Sequence, residues 1–297
     1  MTASTSGHTG SRLLLAVLRA MARLPYPVLS SIGRGLGTLA WWLAAPRRRV
    51  ALINLALCFP QIPEPERRRI AHRHFRYFMR SFVDRFILWY QPPERIRELV
   101  RIEGREILDA HLGRPLILLA PHFVGIDAGG IRLSMEIALM TIYARQKNAV
   151  LNEAMRAGRA RFSGIVLSRQ QGLRAVLRPL RDGVPFYFLP DMDLGSRDAV
   201  FVPFFGVDAA TVTSTARLAQ LTGAAVVPFV TTMTRDGYVG RFYPAWENDP
   251  GETDDAAARR MNAFIEQRVL EMPAQYLWTH KRFKTRPPGQ PSPYHHD

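Results

Sequence analysis

From residue 100 onward, short unbroken apolar runs alternate with stretches of helical periodicity. Pro115–Ala120 (PLILLA) has no polar side chain to offer a wet face, so it reads as a strand buried on both sides. Ala138–Ala144, Gly164–Leu167, Pro185–Leu189 and Ala224–Thr232 share that character. Helix-like stretches at 124–135, 148–159, 169–182 and 211–222 separate them. The alternation predicts an α/β fold, a mixed central sheet flanked by helices. Tyr238–Tyr243 adds a strand, read as an antiparallel edge, and Asp254–Met272 a final amphipathic helix.

The amino-terminal third differs in charge. Of 40 cations and 25 acids, residues 1–101 hold 17 arginines and five acids, net +12, which leaves +3 for the rest. That asymmetry implies an anionic partner, nucleic acid or a membrane surface. The arginines within 12–23 and 34–49 stand among Leu, Trp and Ala, whereas nucleic-acid arms are more polar. The reading is therefore an anionic membrane and no nucleic acid.

Residues 11–45 read as two apolar helices broken near Pro25 and Pro27. They would lie in the interface, with the tryptophans at headgroup depth and Arg47-Arg48-Arg49 against the headgroups. The alternative is an ordinary helical hairpin capping a core. The longest uncharged run within 11–49, Gly35–Pro46, is shorter than the ~20 residues a spanning helix needs. Leu13–Leu18 falls short of a secretory signal's apolar run, so the chain is expected on the cytoplasmic side of its membrane.

A long helix is expected over Pro63–Trp89, opened by Pro63-Glu-Pro-Glu. Phe75, Phe78, Met79, Phe82, Phe86 and Trp89 recur at helical spacing. That stripe reads as core, or as the wall of an apolar slot for a chain-like substrate. The organisation is then a disordered start (1–10), a helical membrane-associated region (11–92), an α/β domain (93–285) and a flexible Pro-rich tail (286–297). Nothing demands more than a monomer. The one cysteine, Cys58, excludes an internal disulfide and reads as packing.

In such sheets, ligands sit beyond the carboxyl ends of the strands. Two strand ends carry chemistry: Ala120-Pro-His122-Phe-Val-Gly-Ile-Asp127 and Leu189-Pro-Asp191-Met-Asp193-Leu-Gly195. With His122 in the turn and Asp127 in the next helix's first turn, the carboxylate can reach back to the ring. That would fix one tautomer and leave the other nitrogen to take a proton. A purely structural histidine is the alternative. No G-x-S-x-G elbow accompanies it, which points to a substrate hydroxyl activated for direct transfer. Asp191 and Asp193 either hold a divalent metal or shape a turn. Arg159 and Arg161 bind an anion, or favour a helix's negative end. Arg145 is a further substrate-binding candidate.

The ordered set resembles the bacterial lipid A biosynthesis acyltransferases, the late lauroyl/myristoyl transferases of the glycerolipid acyltransferase superfamily. The set is His122-x4-Asp127, Gly158-Arg-x-Arg, Pro190-Asp-x-Asp-x-Gly195, Val200-Phe-Val-Pro-Phe-Phe-Gly206, and an ending from Gln275-Tyr-Leu-Trp to Arg282-Phe-Lys-Thr-Arg-Pro. Gly33-Arg-Gly-Leu-Gly37 and Asn54-Leu-Ala-Leu-Cys-Phe-Pro60 extend it toward the amino terminus.

The resemblance implies a glycerolipid acyltransferase-like fold at the cytoplasmic face of the inner membrane. It implies transfer of a fatty acyl group from acyl carrier protein to a hydroxyl of a lipid A precursor, with no metal and no bound cofactor. His122 becomes the general base, Asp127 its orienting group, and Arg159 a transition-state or phosphate contact. Asp191, Asp193, Arg161 and Arg145 are left to substrate binding or support. One departure stands out: many family members carry Glu where this chain has Asp127. That opens an ornithine lipid or lysophospholipid as an alternative acceptor. A metal-dependent sugar transferase and a non-enzymatic membrane scaffold are the remaining readings.

Overall fold

The structure, a computed structural model, describes the chain except residues 1–4, 147, 173, 247–251 and 295–297. Five helices come first: α1 (Thr5–Met21), α2 (Tyr26–Leu43), α3 (Ala45–Cys58), α4 (Glu64–Tyr90) and α5 (Pro93–Leu99). Then follow β1 (Val100–Glu103), α6 (Arg105–Asp109), β2 (Leu116–Leu119), α7 (Ile126–Ser134), β3 (Leu139–Tyr143), α8 (Ala149–Arg159) and β4 (Gly164–Ser168). A short 3-10 turn leads to α9 (Arg174–Arg181) and β5 (Phe186–Phe188). The chain closes with β6 (Ala199–Phe204), β7 (Val207–Val212), α10 (Ser214–Thr222), β8 (Ala225–Met233), β9 (Tyr238–Phe242) and α11 (Asp254–Glu271).

Seven strands form one sheet in the order β1-β9-β8-β2-β5-β3-β4, and every pair but β8–β9 is parallel. The α/β expectation thus holds. Leu116, Ile117, Leu118 and Leu119 are all fully buried, as a strand covered on both faces must be. Tyr238–Phe242 pairs antiparallel with β8 as expected, but it is not the edge: β1 adds in parallel outside it. Four residues, VRIE, were too few to signal a strand. Residues 199–212 form a separate hairpin, turned by Phe205 and Gly206, both with positive φ. Its second strand takes residues 211–212 from the helix expected there.

Pro25 and Pro27 do break the amino-terminal helices. Gly33 and Gly37, one turn apart on α2, let that helix press onto α4. A Cβ would lie 2.6 Å from the Arg80 Cα at Gly33 and 2.4 Å from the Arg76 Cα at Gly37. Beside them, buried Arg80 and Asp84 meet at 3.7 Å, and the Tyr26 and Tyr238 hydroxyls donate to Asp84 at 3.1 and 2.7 Å. This network joins α2, α4 and β9. Breaking a buried pair of this kind costs about 3–5 kcal/mol.

Cys58 is buried, and burial pushes its thiol up, consistent with packing. The disordered start expected over 1–10 falls partly outside the described residues; α1 begins at Thr5. The segment expected as a flexible tail lies against α3 as far as it is described: Tyr294 donates its hydroxyl to Asn54, and its oxygen accepts the Phe283 N–H at 3.1 Å.

Candidate active site

β2 and β5 are adjacent and parallel, in register at Leu119↔Phe188. His122 and Asp191 each lie three residues beyond that pair (122 − 119 and 191 − 188), so the two chain exits bring them together. Asp191 Oδ1 is 2.6 Å from His122 Nδ1, and Oδ2 accepts the His122 backbone N–H at 2.9 Å. Asp191 is 1% exposed. Burial pushes its carboxyl up, but the His122 ring and N–H outweigh that and hold it below the usual range. An ionised Asp191 assigns the proton to Nδ1 and leaves Nε2 as acceptor, a tautomer inferred from the hydrogen bond.

Asp127 does not reach His122 as expected. From the first turn of α7 it points to α4 and α8 instead. Its Oδ1 accepts Arg159 Nε at 2.8 Å and lies 2.7 Å from Arg159 Nη2. Its Oδ2 pairs with Arg85 Nε at 2.6 Å, an ionic contact without hydrogen-bond alignment. Burial pushes the Asp127 carboxyl up, yet the two guanidiniums hold it well below the usual carboxylate range. Orientation of the imidazole thus falls to Asp191, because strand register places it closer than a helical first turn can.

Asp193 is 3% exposed and spent on backbone and hydroxyl donors: Gly195 N–H at 3.0 Å, Thr285 N–H at 2.6 Å and Thr285 Oγ1 at 2.8 Å. Its own N–H donates to His280 Nε2 at 3.1 Å. Burial, then the nearby His122 ring and the Arg282 guanidinium, push His280 down to about 4. Asp193 therefore ties the turn to the carboxy-terminal segment. That segment also holds the His122 loop. Leu277 N–H donates to the His122 carbonyl at 3.0 Å, and Val124 N–H to the Gln275 carbonyl at 2.9 Å. Asn54 Nδ2, from α3, donates to the Trp278 and His280 carbonyls at 2.7 Å each.

Arg161 does not join the site: it donates to the Leu88 carbonyl at 3.0 Å and lies 4.8 Å from the Phe162 ring centre. Arg145 is exposed in the loop after β3, between cavity-lining Ala144 and Gln146.

His122, Asp127, Arg85 and Arg159 line one cavity of about 470 Å³. Phe78, Phe82, Phe86 and Trp89 of α4 form its aromatic wall, and Leu15 of α1 also reaches it. The aromatic stripe thus divides: Phe75 packs into the core against Trp41, ring centres 5.5 Å apart, while Phe78, Phe82, Phe86 and Trp89 line the cavity. Gly158 lets α8 close on that wall; a Cβ there would lie 2.4 Å from the Trp89 indole. The site combines one imidazole acceptor, a net-positive guanidinium pair and apolar room for a chain. Arg85 escaped the sequence reading. Its signal was its register, three residues after Phe82 and four before Trp89 on the apolar stripe.

The family described as "Bacterial lipid A biosynthesis acyltransferase" matches residues 5–285. The lipid A biosynthesis lauroyltransferase of Escherichia coli (strain K12) is 34% identical over 285 residues, covering 94% of this chain and 93% of that protein. The palmitoleoyltransferase of lipid A biosynthesis from the same organism is 34% identical over 286 residues, 94% and 92% of the two chains. Among solved structures, the 1-acyl-sn-glycerophosphate (LPA) acyltransferase PlsC from Thermotoga maritima aligns with a TM-score of 0.42 at 16% identity, over 83% of this chain and 99% of that one.

Proposed function

The chain belongs to the bacterial lipid A biosynthesis acyltransferase family, and we propose that it moves a fatty acyl group from acyl carrier protein to a hydroxyl of a lipid A precursor. The observation that carries this reading is the His122 ring, clamped by Asp191 at the wall of an apolar cavity. His122 is the general base and there is no covalent acyl-enzyme. The acceptor oxygen bonds the thioester carbon as its proton passes to His122 Nε2, and the carbonyl electron pair moves onto oxygen. The pair then returns, the C–S bond breaks, and the thiolate takes the proton from His122. The products are an ester and the free carrier thiol.

The acyl chain occupies the slot walled by Phe78, Phe82, Phe86 and Trp89. Attachment is at the cytoplasmic face of the inner membrane, with α1 and α2 lying on the bilayer. Exposed Leu13, Leu14 and Val17 of α1, and Leu39, Trp42 and Leu43 of α2, support this. No helix among the described residues is long and apolar enough to cross a membrane. Leu15 belongs to the same helix and lines the cavity, which makes a route from bilayer to His122 short. The carrier protein, being acidic, suits the chain's net charge of +15.

The ornithine-lipid or lysophospholipid alternative rested on the shorter Asp127 facing His122. Asp127 faces Arg85 and Arg159, so its length gives no ground for a different acceptor. Mass spectrometry of an in vitro reaction tests the proposal, with a Kdo-bearing tetra-acylated precursor and a panel of acyl carrier protein donors. One added acyl mass, lost in His122→Ala, is expected. No product from any donor, with the protein folded, overturns the acceptor assigned here.

A further inference from the structure

Arg85 is a long way in sequence from the His122 loop, yet it stands in the same cavity. It comes from α4, in the middle of the aromatic wall, with its guanidinium carbon 5.5 Å from the Phe82 ring centre. A cation in such a lining is costly unless it is paired. Its partner Asp127 is already paired with Arg159 through two nitrogens. The cluster therefore holds two guanidiniums against one carboxylate, an excess of one positive charge. Arg85 and Arg159 remain 20% and 25% exposed, while Asp127 is 9% exposed. The contact between Arg85 and Asp127 runs through Arg85 Nε, at 2.6 Å from Oδ2.

We propose that Arg85 is a catalytic residue: with Arg159 it donates to the carbonyl oxygen of the acyl thioester as that oxygen becomes negative. The proposal rests on the acyl-transfer reading above. Asp127 acts as the counter-ion that orients the Arg159 guanidinium through two nitrogens and holds the Arg85 charge beside it before the substrate arrives, so little reorganisation accompanies the charge that develops. The wall chemistry selects an oxyanion over a phosphate. A phosphate would have to be stripped of water to enter an aromatic slot. The oxyanion is made in place, from a neutral carbonyl at the head of an apolar chain. Arg85 moves no proton in this step; its N–H groups donate to the carbonyl oxygen while the electron pair resides there, from the forming of the acceptor C–O bond until the C–S bond breaks.

The test compares wild type, Arg85→Ala and Arg85→Lys as full-length protein, in two assays. The first is acyl transfer to the lipid A precursor. The second is slow hydrolysis of the acyl carrier protein thioester, in which water replaces the acceptor but the same oxyanion forms. Arg85→Ala is expected to lose about 100-fold in kcat in both assays, with each KM within about twofold, Arg85→Lys falling between. Added guanidinium ion should restore part of the Arg85→Ala rate. A kcat within about twofold of wild type overturns the proposal. A loss confined to the acceptor KM overturns it in favour of phosphate binding. A loss that follows a lowered unfolding temperature and resists guanidinium overturns it in favour of a structural role. If wild type fails in transfer but hydrolyses the thioester, the acceptor reading fails, and the hydrolysis arm still decides Arg85.

Discussion

Asp191 grips His122 twice, by the ring Nδ1 and by the backbone N–H, from the end of the neighbouring parallel strand. The grip depends on register between β2 and β5 rather than on spacing within one motif. It fixes the ring's rotation and its tautomer together, and it leaves Nε2 as the acceptor nitrogen of a ring that lines the cavity. Asp127, five residues from His122, anchors the arginines instead.

The glycines of α2 give a matched stability test. Gly37→Ala places a Cβ 2.4 Å from the Arg76 Cα, and a backbone neighbour cannot step aside. A loss of about 1–3 kcal/mol in urea unfolding is expected. Gly35→Ala meets nothing within 4 Å and should instead gain up to about 1 kcal/mol from helix propensity. Equal effects would contradict the close crossing.

Acid stability should depend on His74. It is fully buried on α4, its ring Nδ1 3.2 Å from the Ala274 carbonyl, and burial pushes it down to about 4. A depressed folded value means the unfolded chain binds the proton first. The stability is thus present above about 6.5 and is lost as pH falls toward 4, up to about 3 kcal/mol. Asp84, pushed up to about 6 mainly by burial, acts in the opposite direction, its contribution growing as pH falls through 6. The variant comparison therefore isolates the histidine. Unfolding of His74→Asn should lose less stability than wild type between neutral pH and about pH 4.5. Identical slopes would refute this.

Chain-length selection should follow the cavity wall. Phe82→Ala and Phe86→Ala enlarge the slot beside Trp89, so competition among acyl carrier protein donors should shift toward longer chains. Unchanged selectivity in both variants would remove the stripe from donor recognition.

Membrane attachment should weaken when the exposed corner of α2 is made polar. Trp42 and Leu43 are 69% and 73% exposed, and inserting each is worth about 1.5–3 kcal/mol. Trp42→Ser with Leu43→Ser should lower partitioning onto anionic vesicles at least about tenfold. Cosedimentation as strong as wild type would place the contact elsewhere.

Much of the fold was legible because its signals are local. PLILLA can only be a strand covered on both faces, and Pro25, Pro27 and Pro63 mark helix boundaries where they fall. The site residues His122, Asp127, Arg159, Asp191 and Asp193 were legible as strand and helix ends. Their pairing was not. Whether Asp127 or Asp191 meets His122 depends on which strands are neighbours, a non-local property that spacing does not carry. Arg85 was hidden for the same reason: it looks like a surface cation until α4 is packed against α7 and α8. Thr285 and His280 sat in a recognisable ending, yet their contacts with Asp193 arise only when the carboxy-terminal segment folds back.

The most direct measurement is the single-turnover rate of acyl transfer in Asp191→Asn beside wild type, at saturating donor and acceptor. Asn keeps the shape but no longer holds the Nδ1 proton by charge. The rate should fall on the order of 10³-fold, with the fold intact by circular dichroism. A rate within about twofold of wild type would contradict the account, because His122 would then need no help from Asp191 to act as the base.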